Sequence, residues 1–100
     1  MATLELINLH CHKRQDLTGH DEARLTAGGV ARTYVMDKGG DKSLKGWNSV
    51  FTGTTTVILD EMNGDNHTRI GSAPITENGN PKTVDFKTSG AWYTLSFKVS

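Results

Sequence analysis

The clearest pattern of hydrophobic and polar positions lies at the end of the chain, between residues 91 and 99. Apolar side chains occupy every second position there, so that Ala91, Tyr93, Leu95, Phe97 and Val99 alternate with Trp92, Thr94, Ser96 and Lys98. A period of two is typical of a β-strand with one buried face. The pattern therefore predicts a half-buried strand whose second face carries Trp92.

Shorter segments with apolar or β-branched positions follow one another along the rest of the chain. The segment 54–60 is rich in β-branched residues and favours a central strand. Segment 3–12 has apolar residues on both parities, which predicts a strand with a bulge near Leu6 or burial on both faces. The predicted strands are residues 3–12, 22–27, 30–36, 47–51, 54–60, 69–75, 82–86 and 91–99.

Glycine-containing segments separate these strands. The pair Gly28-Gly29 permits positive φ at two successive residues, so the flanking segments are predicted to form a hairpin. Residues 37–46 are mainly polar and contain a second glycine pair, which predicts a loop.

Seven or eight short strands without a helix of ordinary length indicate an all-β protein. An antiparallel sandwich or barrel fits this spacing of strands and turns. A chain of 100 residues has room for one compact core, and we find no internal repeat or linker. We therefore predict a single antiparallel β-sandwich over residues 1–100.

Composition narrows the function. The chain has 11 basic and 11 acidic residues and therefore a formal net charge of zero. This balance argues against a nucleic-acid partner and against a protein that binds membranes through a basic surface. The single cysteine, Cys11, rules out an internal disulfide. Because the sequence has no signal peptide and no apolar span, we expect a soluble chain. Its compartment is not defined, and an extracytoplasmic location by another route or after removal of a leader stays open.

Six acidic residues fall in two short segments that are predicted as loops. They are Asp16, Asp21 and Glu22 in the first segment and Asp60, Glu61 and Asp65 in the second. Carboxylates held close together repel one another, and Ca²⁺, which takes about six to eight oxygen ligands, is the usual reason to tolerate that. The alternative is that these are ordinary solvated loops, because Asp and Gly are common in turns. Neither loop matches an EF-hand, whose position-6 glycine would fall on Asp65 when counted from Asp60.

The two acidic segments also carry a family resemblance. Residues 16–25, preceded by an apolar strand, resemble the first calcium loop of C2 domains, with an Asp, a Gly and then an Asp that opens the next strand. Residues 57–71 are similar to the strand and third loop of that family, which ends in Ile-Gly. The segment 47–51 falls near the family's Trp-containing strand. The resemblance spans about two thirds of the chain and implies a C2-like sandwich.

The resemblance implies a reduced calcium site. Asp16, Asp21 and Asp60 match family positions, whereas Met62 and Thr68 stand where the third loop has its other two Asp residues. Glu22, Glu61 and Asp65 are added to the ligand set from local charge alone. Such a set implies one weakly bound Ca²⁺, with a dissociation constant of about 10⁻⁴–10⁻³ M, between the two loops. The ion would stabilise the fold or a surface that binds a partner.

Lipid binding is disfavoured by the same resemblance. Family members that dock on membranes usually combine basic residues with apolar loop tips, and here only Leu17 and Met62 are apolar tip residues. We expect Met62 and Trp92 to contact a partner, which we leave as an unidentified protein or glycan.

Histidine and tryptophan residues suggest a different kind of site. His10 and His12 lie two apart on a predicted strand and share a face, so they could ligate a transition metal. With no third ligand nearby, an exposed strand edge with two histidines is favoured. Cys11 points to the opposite face and is predicted to be buried.

The alternative function is a metal-independent sandwich that binds a carbohydrate or a protein through Trp92, Tyr93 or Trp47, with a secreted toxin or inhibitor scaffold as a further option. For Trp92, burial in the core or partial burial is favoured over full exposure. No catalytic motif is present, and a small sandwich offers little concave pocket, so we expect no enzymatic activity. Exposed sheet edges allow a monomer or a weak dimer.

Overall fold

The computed structural model describes residues 1–13, 21–63, 66–78, 82–88 and 90–100. In these residues the chain forms nine β-strands and no helix. The strands are β1 (Ala2–Lys13), β2 (Asp21–Ala27), β3 (Val30–Met36), β4 (Asp41–Ser43), β5 (Asn48–Phe51), β6 (Thr54–Asn63), β7 (Asn66–Thr76), β8 (Thr83–Lys87) and β9 (Trp92–Val99).

The strands form two antiparallel sheets that pack face to face, which confirms the predicted β-sandwich. The first sheet has the order β4-β1-β9-β8, and β5 pairs with the amino-terminal half of β1 on the same side as β4. The second sheet has the order β3-β2-β6-β7.

The apolar positions of each strand form the core between the sheets. Leu4, Leu9, Leu95 and Phe97 in the first sheet, for example, are buried in one cluster with Leu25, Val57 and Leu59 of the second. The alternation predicted for residues 91–99 is confirmed, since Tyr93, Leu95 and Phe97 are buried. Cys11 is also buried, as predicted.

Two of the three aromatic residues considered for ligand binding belong to this core. Tyr93 is fully buried and Trp47 is 3 % exposed. Both sit between the sheets because their positions have the inward parity of β9 and of the segment that leads into β5. The prediction that they form part of an exposed binding surface is therefore wrong, and Trp92 alone of the three lies outside the core.

Two local predictions for the backbone are confirmed. The pairing of β1 with β9 shifts register between Leu6 and Asn8, which is the bulge expected near Leu6. Gly28 and Gly29 have φ values of 59° and 78° and connect β2 to β3 as a two-residue hairpin.

Several strand boundaries differ from the prediction. Residues 41–43 form β4, although the whole of 37–46 was predicted as a loop. This strand is polar and exposed, and it exists because its backbone pairs with β1. Strands β2 and β6 are longer than predicted, so Asp21 and Glu61 lie in strands rather than in loops. Glu22 and Asp60, which stood at the boundary between a predicted strand and a predicted loop, also lie in strands. Antiparallel pairing of β6 with β2 and β7 extends β6 to Asn63.

Candidate functional site

The topology brings the ends of the two acidic segments to one end of the second sheet. The start of β2 lies beside the end of β6, because Ala23 pairs with Glu61 and Arg24 with Asp60 in antiparallel register. Segment 14–20 enters β2, and segment 64–65 joins β6 to β7, so both connections leave the sheet at this end. Asp16, Leu17 and Asp65 themselves lie outside the described residues, as does the side chain of Asp21.

Asp60 is buried and held by two arginines. Its side chain is 3 % exposed, Nε of Arg69 donates a hydrogen bond to Oδ1 at 2.6 Å, and Nη2 of Arg24 donates a longer one to Oδ2 at 3.4 Å. The contacts follow from register, since Arg24 on β2 and Arg69 on β7 are the cross-strand partners of Asp60 on β6. Two guanidinium groups already compensate this carboxylate, and their positive charge opposes an added cation.

Glu61 points to the opposite face of the sheet from Asp60. It is 4 % exposed, and its partner Ala23 is buried between the sheets. Successive side chains of a strand face opposite sides, so these two neighbouring carboxylates are directed apart.

Glu22, another member of the predicted ligand set, and Met62, which was predicted to contact a partner, lie on the neighbouring strands β2 and β6. Glu22 is exposed on β2, and Met62 is half-buried on β6. Among the described residues, no three His, Cys, Asp or Glu side chains lie close enough together to share a metal ion.

A second constellation lies on the outer face of the first sheet, and we call it the histidine face: Asn8, His10, His12, Asp41, Asp85, Lys87, Trp92 and Thr94. Four of these residues form one row across four strands, because Asp41 pairs with His10, His10 with Thr94, and Thr94 with Asp85. Strand β1 lies between β4 and β9 here, so the prediction that the histidines occupy a strand edge is wrong.

Asp41 anchors one end of the row. Its Oδ1 lies 2.8 Å from Nδ1 of His10 and accepts a hydrogen bond from the amide of Asn8 at 2.9 Å. Both hydrogen bonds lower the pKa of Asp41 below its ordinary 3.8, and the bond from Asn8 has the larger effect of the two. An ionised carboxylate can only accept, so His10 carries a proton on Nδ1.

Thr94 links His12 to Asp85 at the other end. Its hydroxyl donates to Oδ1 of Asp85 at 2.7 Å, and the same oxygen lies 2.7 Å from Nε2 of His12. A hydroxyl has one proton, and here that proton is directed at the carboxylate. His12 must therefore be the donor of the second hydrogen bond, which places a proton on its Nε2.

Trp92 lies half-buried beside this network, which is one of the two alternatives, core or partial burial, predicted for it. The ring of His12 on β1 stacks on the indole at a centroid distance of 4.2 Å, and Nζ of Lys87 on β8 lies 4.6 Å from the indole centroid. The two contacts come from the strands on either side of β9. The indole Nε1 is buried and has no hydrogen-bond partner among the described residues.

Residues that the sequence did not single out complete this face. Asp41, Asp85, Lys87 and Thr94 carry no motif, and only the parity of segments 82–86 and 91–99 indicates that two of them face outward. Their meeting with the histidines depends on strand order, which local sequence patterns do not contain.

Comparison with known proteins does not identify the chain. No protein-family model matches it, and no curated protein is found to be similar to it. The resemblance to C2 domains stays a prediction that rests on the quoted residues. The described residues include no helix that is long and apolar enough to cross a membrane.

Proposed function

We propose that this chain is a metal-independent, non-enzymatic binding module that holds a polar ligand of carbohydrate type on the histidine face. The observation that carries the proposal is a pair of hydrogen-bonded groups beside the half-buried Trp92. One group joins Asp41 to His10, and the other joins His12, Thr94 and Asp85. Short hydrogen bonds fix the tautomers of both imidazoles and the direction of the Thr94 hydroxyl. Groups that are oriented before a ligand arrives lose less conformational entropy on binding.

The chemistry of the face suits a ligand with many hydroxyl groups. Carboxylates accept hydrogen bonds from sugar hydroxyls, the Asn8 amide donates them, and an indole ring packs against C–H groups. The side chains of Asp41 and His10 are 57 % and 32 % exposed, so a ligand can reach the row. Two carboxylates against one ammonium group oppose a polyanion such as nucleic acid.

Lys87 covers the indole, but a lysine side chain moves at little cost. An exposed cation–π contact is worth about 0.5–1 kcal/mol. A ligand that displaces the ammonium group would gain the apolar ring surface beneath it. Lys87 would then act as a removable cover for the Trp92 side of the face.

The direction of the Thr94 proton supports a non-catalytic role. In a hydroxyl–histidine–carboxylate mechanism the histidine accepts the hydroxyl proton, whereas here the proton points to Asp85 and His12 is the donor. Thr94 is thus not activated as a nucleophile.

A titration with neutral oligosaccharides tests this proposal. We expect binding to change the emission of Trp92 and the amide shifts of β1, β8 and β9. Trp92→Phe and Asp85→Asn should each raise the dissociation constant at least about tenfold, equivalent to about 1.4 kcal/mol of binding free energy. Ser72→Ala, on the exposed outer face of the other sheet, serves as the matched control and should bind like wild type. Absence of binding across the panel, or shifts confined to another surface, would overturn the proposal.

The second candidate function is the Ca²⁺ site of the acidic end, meaning residues 14–22 and 60–65. Its support is that both connections leave the second sheet at the same end, as the C2 resemblance requires. We leave Asp60 out of the proposed ligand set because Arg24 and Arg69 already engage both of its oxygens. Asp16, Asp21 and Asp65, with Glu22 as the exposed neighbour, would carry the single ion.

Thermal melts separate this candidate from the first. A ligand that binds only the native state stabilises it by about 1.4 kcal/mol at about ten times its dissociation constant. Millimolar CaCl₂ should then raise the melting temperature relative to EDTA, MgCl₂ should not, and Asp16→Asn or Asp65→Asn should remove the shift. Identical melting temperatures would exclude the calcium site and would not affect the proposal for the histidine face.

A further inference from the structure

Strand β3 (Val30–Met36) forms one edge of the second sheet. It pairs with β2 at all seven of its positions without a register shift. Among the described residues, no strand pairs with its other side. An unpaired strand edge presents a row of N–H and C=O groups that can pair with another chain.

The other edges of the two sheets carry features that block such pairing. Strand β7 contains the exposed Pro74, and its pairing with β6 shifts register near Asp60. Strands β4 and β5 have only three and four residues. Strand β8 presents the charged residues Asp85 and Lys87 in five positions. Proline, register shifts, short length and charge are the usual protections of an edge.

Strand β3 has none of these protections. It contains no proline and no lysine, and Val30 and Val35 are 44 % and 50 % exposed. Its one charged residue, Arg32, is held against its own core, because its guanidinium carbon lies 4.9 Å from the centroid of the Trp47 ring. The outward side chains between these positions are Ala31 and Thr33, which are exposed and uncharged.

We propose that β3 pairs antiparallel with β3 of a second copy of this chain, across a two-fold axis at Thr33, and joins two second sheets into one. This register uses the whole strand. It places Thr33 opposite the second copy's Thr33 and Ala31 opposite the second copy's Val35. Threonine pairs and apolar pairs directly opposite one another stabilise antiparallel strands.

The two-fold register and the charge of the chain both permit a second copy as the occupant. The two-fold register brings no like charges face to face, since Arg32 lies opposite the second copy's Tyr34. The chain has no net charge, so two copies do not repel each other at long range. This surface is on the opposite sheet from the histidine face, so both can act at once.

A charge-swap experiment tests the pairing and its register. Sedimentation velocity on wild type over a range of protein concentrations should show a monomer–dimer equilibrium. Ala31→Lys or Val35→Glu should each raise the dimer dissociation constant about tenfold, because each substitution occurs twice in a two-fold dimer. The double variant should recover the wild-type constant, since each introduced ammonium group would then lie opposite an introduced carboxylate of the second copy.

A cross-link gives an independent readout. Thr33→Cys should form a disulfide-linked dimer on mild oxidation, whereas wild type, whose one thiol is the buried Cys11, should not. Val50→Lys, on the edge strand β5 and 64 % exposed, is the matched control and should dimerise like wild type. The proposal would be overturned if the wild-type chain stayed monomeric at all concentrations, even if it bound an extended peptide of another protein. A dimer that only Val50→Lys disrupts would also overturn it.

Discussion

The hydroxyl of Thr94 donates a hydrogen bond of 2.7 Å to the carboxylate of Asp85, its direct cross-strand neighbour. This contact sets the direction of every other hydrogen bond at that end of the histidine face. With the hydroxyl proton engaged, the Thr94 oxygen is available as an acceptor, and it accepts from Nε2 of His12. The imidazole that stacks on Trp92 is therefore held in position by a carboxylate two strands away.

Thr94→Val should release this chain of hydrogen bonds without changing the shape of the side chain. We expect the free energy of unfolding to fall by about 1 kcal/mol, since the partners regain only part of the lost interaction from water. Urea denaturation measures this change. Thr83→Val, on the exposed surface of β8, is the matched control and should change stability by less than about 0.5 kcal/mol. Equal effects of the two substitutions would argue against the relay.

The titration of Asp41 should reveal the other end of the face. Its pKa is depressed first by the Asn8 hydrogen bond and then by the His10 hydrogen bond, so its carboxyl ¹³C signal should titrate with a midpoint below 3.8. Asn8→Ala and His10→Ala should each raise this midpoint. An unchanged midpoint in both variants would contradict the assigned contacts.

The sign of the linked stability follows from the same depression. The folded-state pKa of Asp41 is lower than its unfolded value, so its contribution to stability is present above the ordinary 3.8. The contribution is lost as the pH falls below 3.8 and through the folded-state pKa. Because the carboxylate is solvent-exposed, we expect a small effect, visible as a difference in acid-unfolding midpoint between wild type and Asn8→Ala.

Most of the fold can be predicted from the sequence because the patterns that indicate strands and turns are local. Alternation over residues 91–99 and positive φ at Gly28-Gly29 depend only on neighbouring residues, and both predictions are confirmed. Strand β4 was missed because its three residues are polar and exposed, so only pairing with β1 makes them a strand.

The sites were harder to predict because they depend on which strands are neighbours. Asp41, His10 and Thr94 are far apart in sequence and meet through the order β4-β1-β9. Asp60 was predicted as the last residue of strand 54–60 and as the first carboxylate of the acidic loop that follows it. The two arginines that make it acceptable in β6 come from β2 and β7, and no local pattern links them.

Asp60→Asn tests whether this residue is structural. Breaking a buried ion pair costs about 3–5 kcal/mol, but Arg24 and Arg69 are 33 % and 53 % exposed, so water compensates part of the loss. We expect the free energy of unfolding to fall by about 2 kcal/mol, and by the same amount in EDTA and in millimolar CaCl₂. Glu5→Gln, an exposed carboxylate on β1, is the control and should change stability by less than about 0.5 kcal/mol.

The calcium dependence of the Asp60→Asn variant separates the two roles. If Asp60 were a calcium ligand, the substitution would be mild in EDTA and would remove a stabilisation seen only with CaCl₂. That outcome would contradict the structural role and would return Asp60 to the ligand set of the acidic end.

The hairpin between β2 and β3 allows a matched test of how the two sheets meet at that end. Gly28 and Gly29 both have positive φ, but an added Cβ at Gly28 would lie 2.5 Å from Cβ of Ser49, whereas one at Gly29 would meet nothing within 4 Å. Apart from glycine, asparagine is one of the residues that tolerate positive φ best. Gly29→Asn should therefore cost less than about 1 kcal/mol, and Gly28→Asn about 1–3 kcal/mol more because of the overlap.

A double-mutant cycle isolates the contact between Gly28 and Ser49. Ser49→Gly removes both atoms that an added Cβ would meet, so Gly28→Asn should cost no more than Gly29→Asn in that background. Chemical denaturation of the four variants gives the coupling energy, which we expect to be about 1–3 kcal/mol. A coupling near zero would mean that φ alone, and not the approach of the hairpin to β5 of the first sheet, requires glycine at position 28.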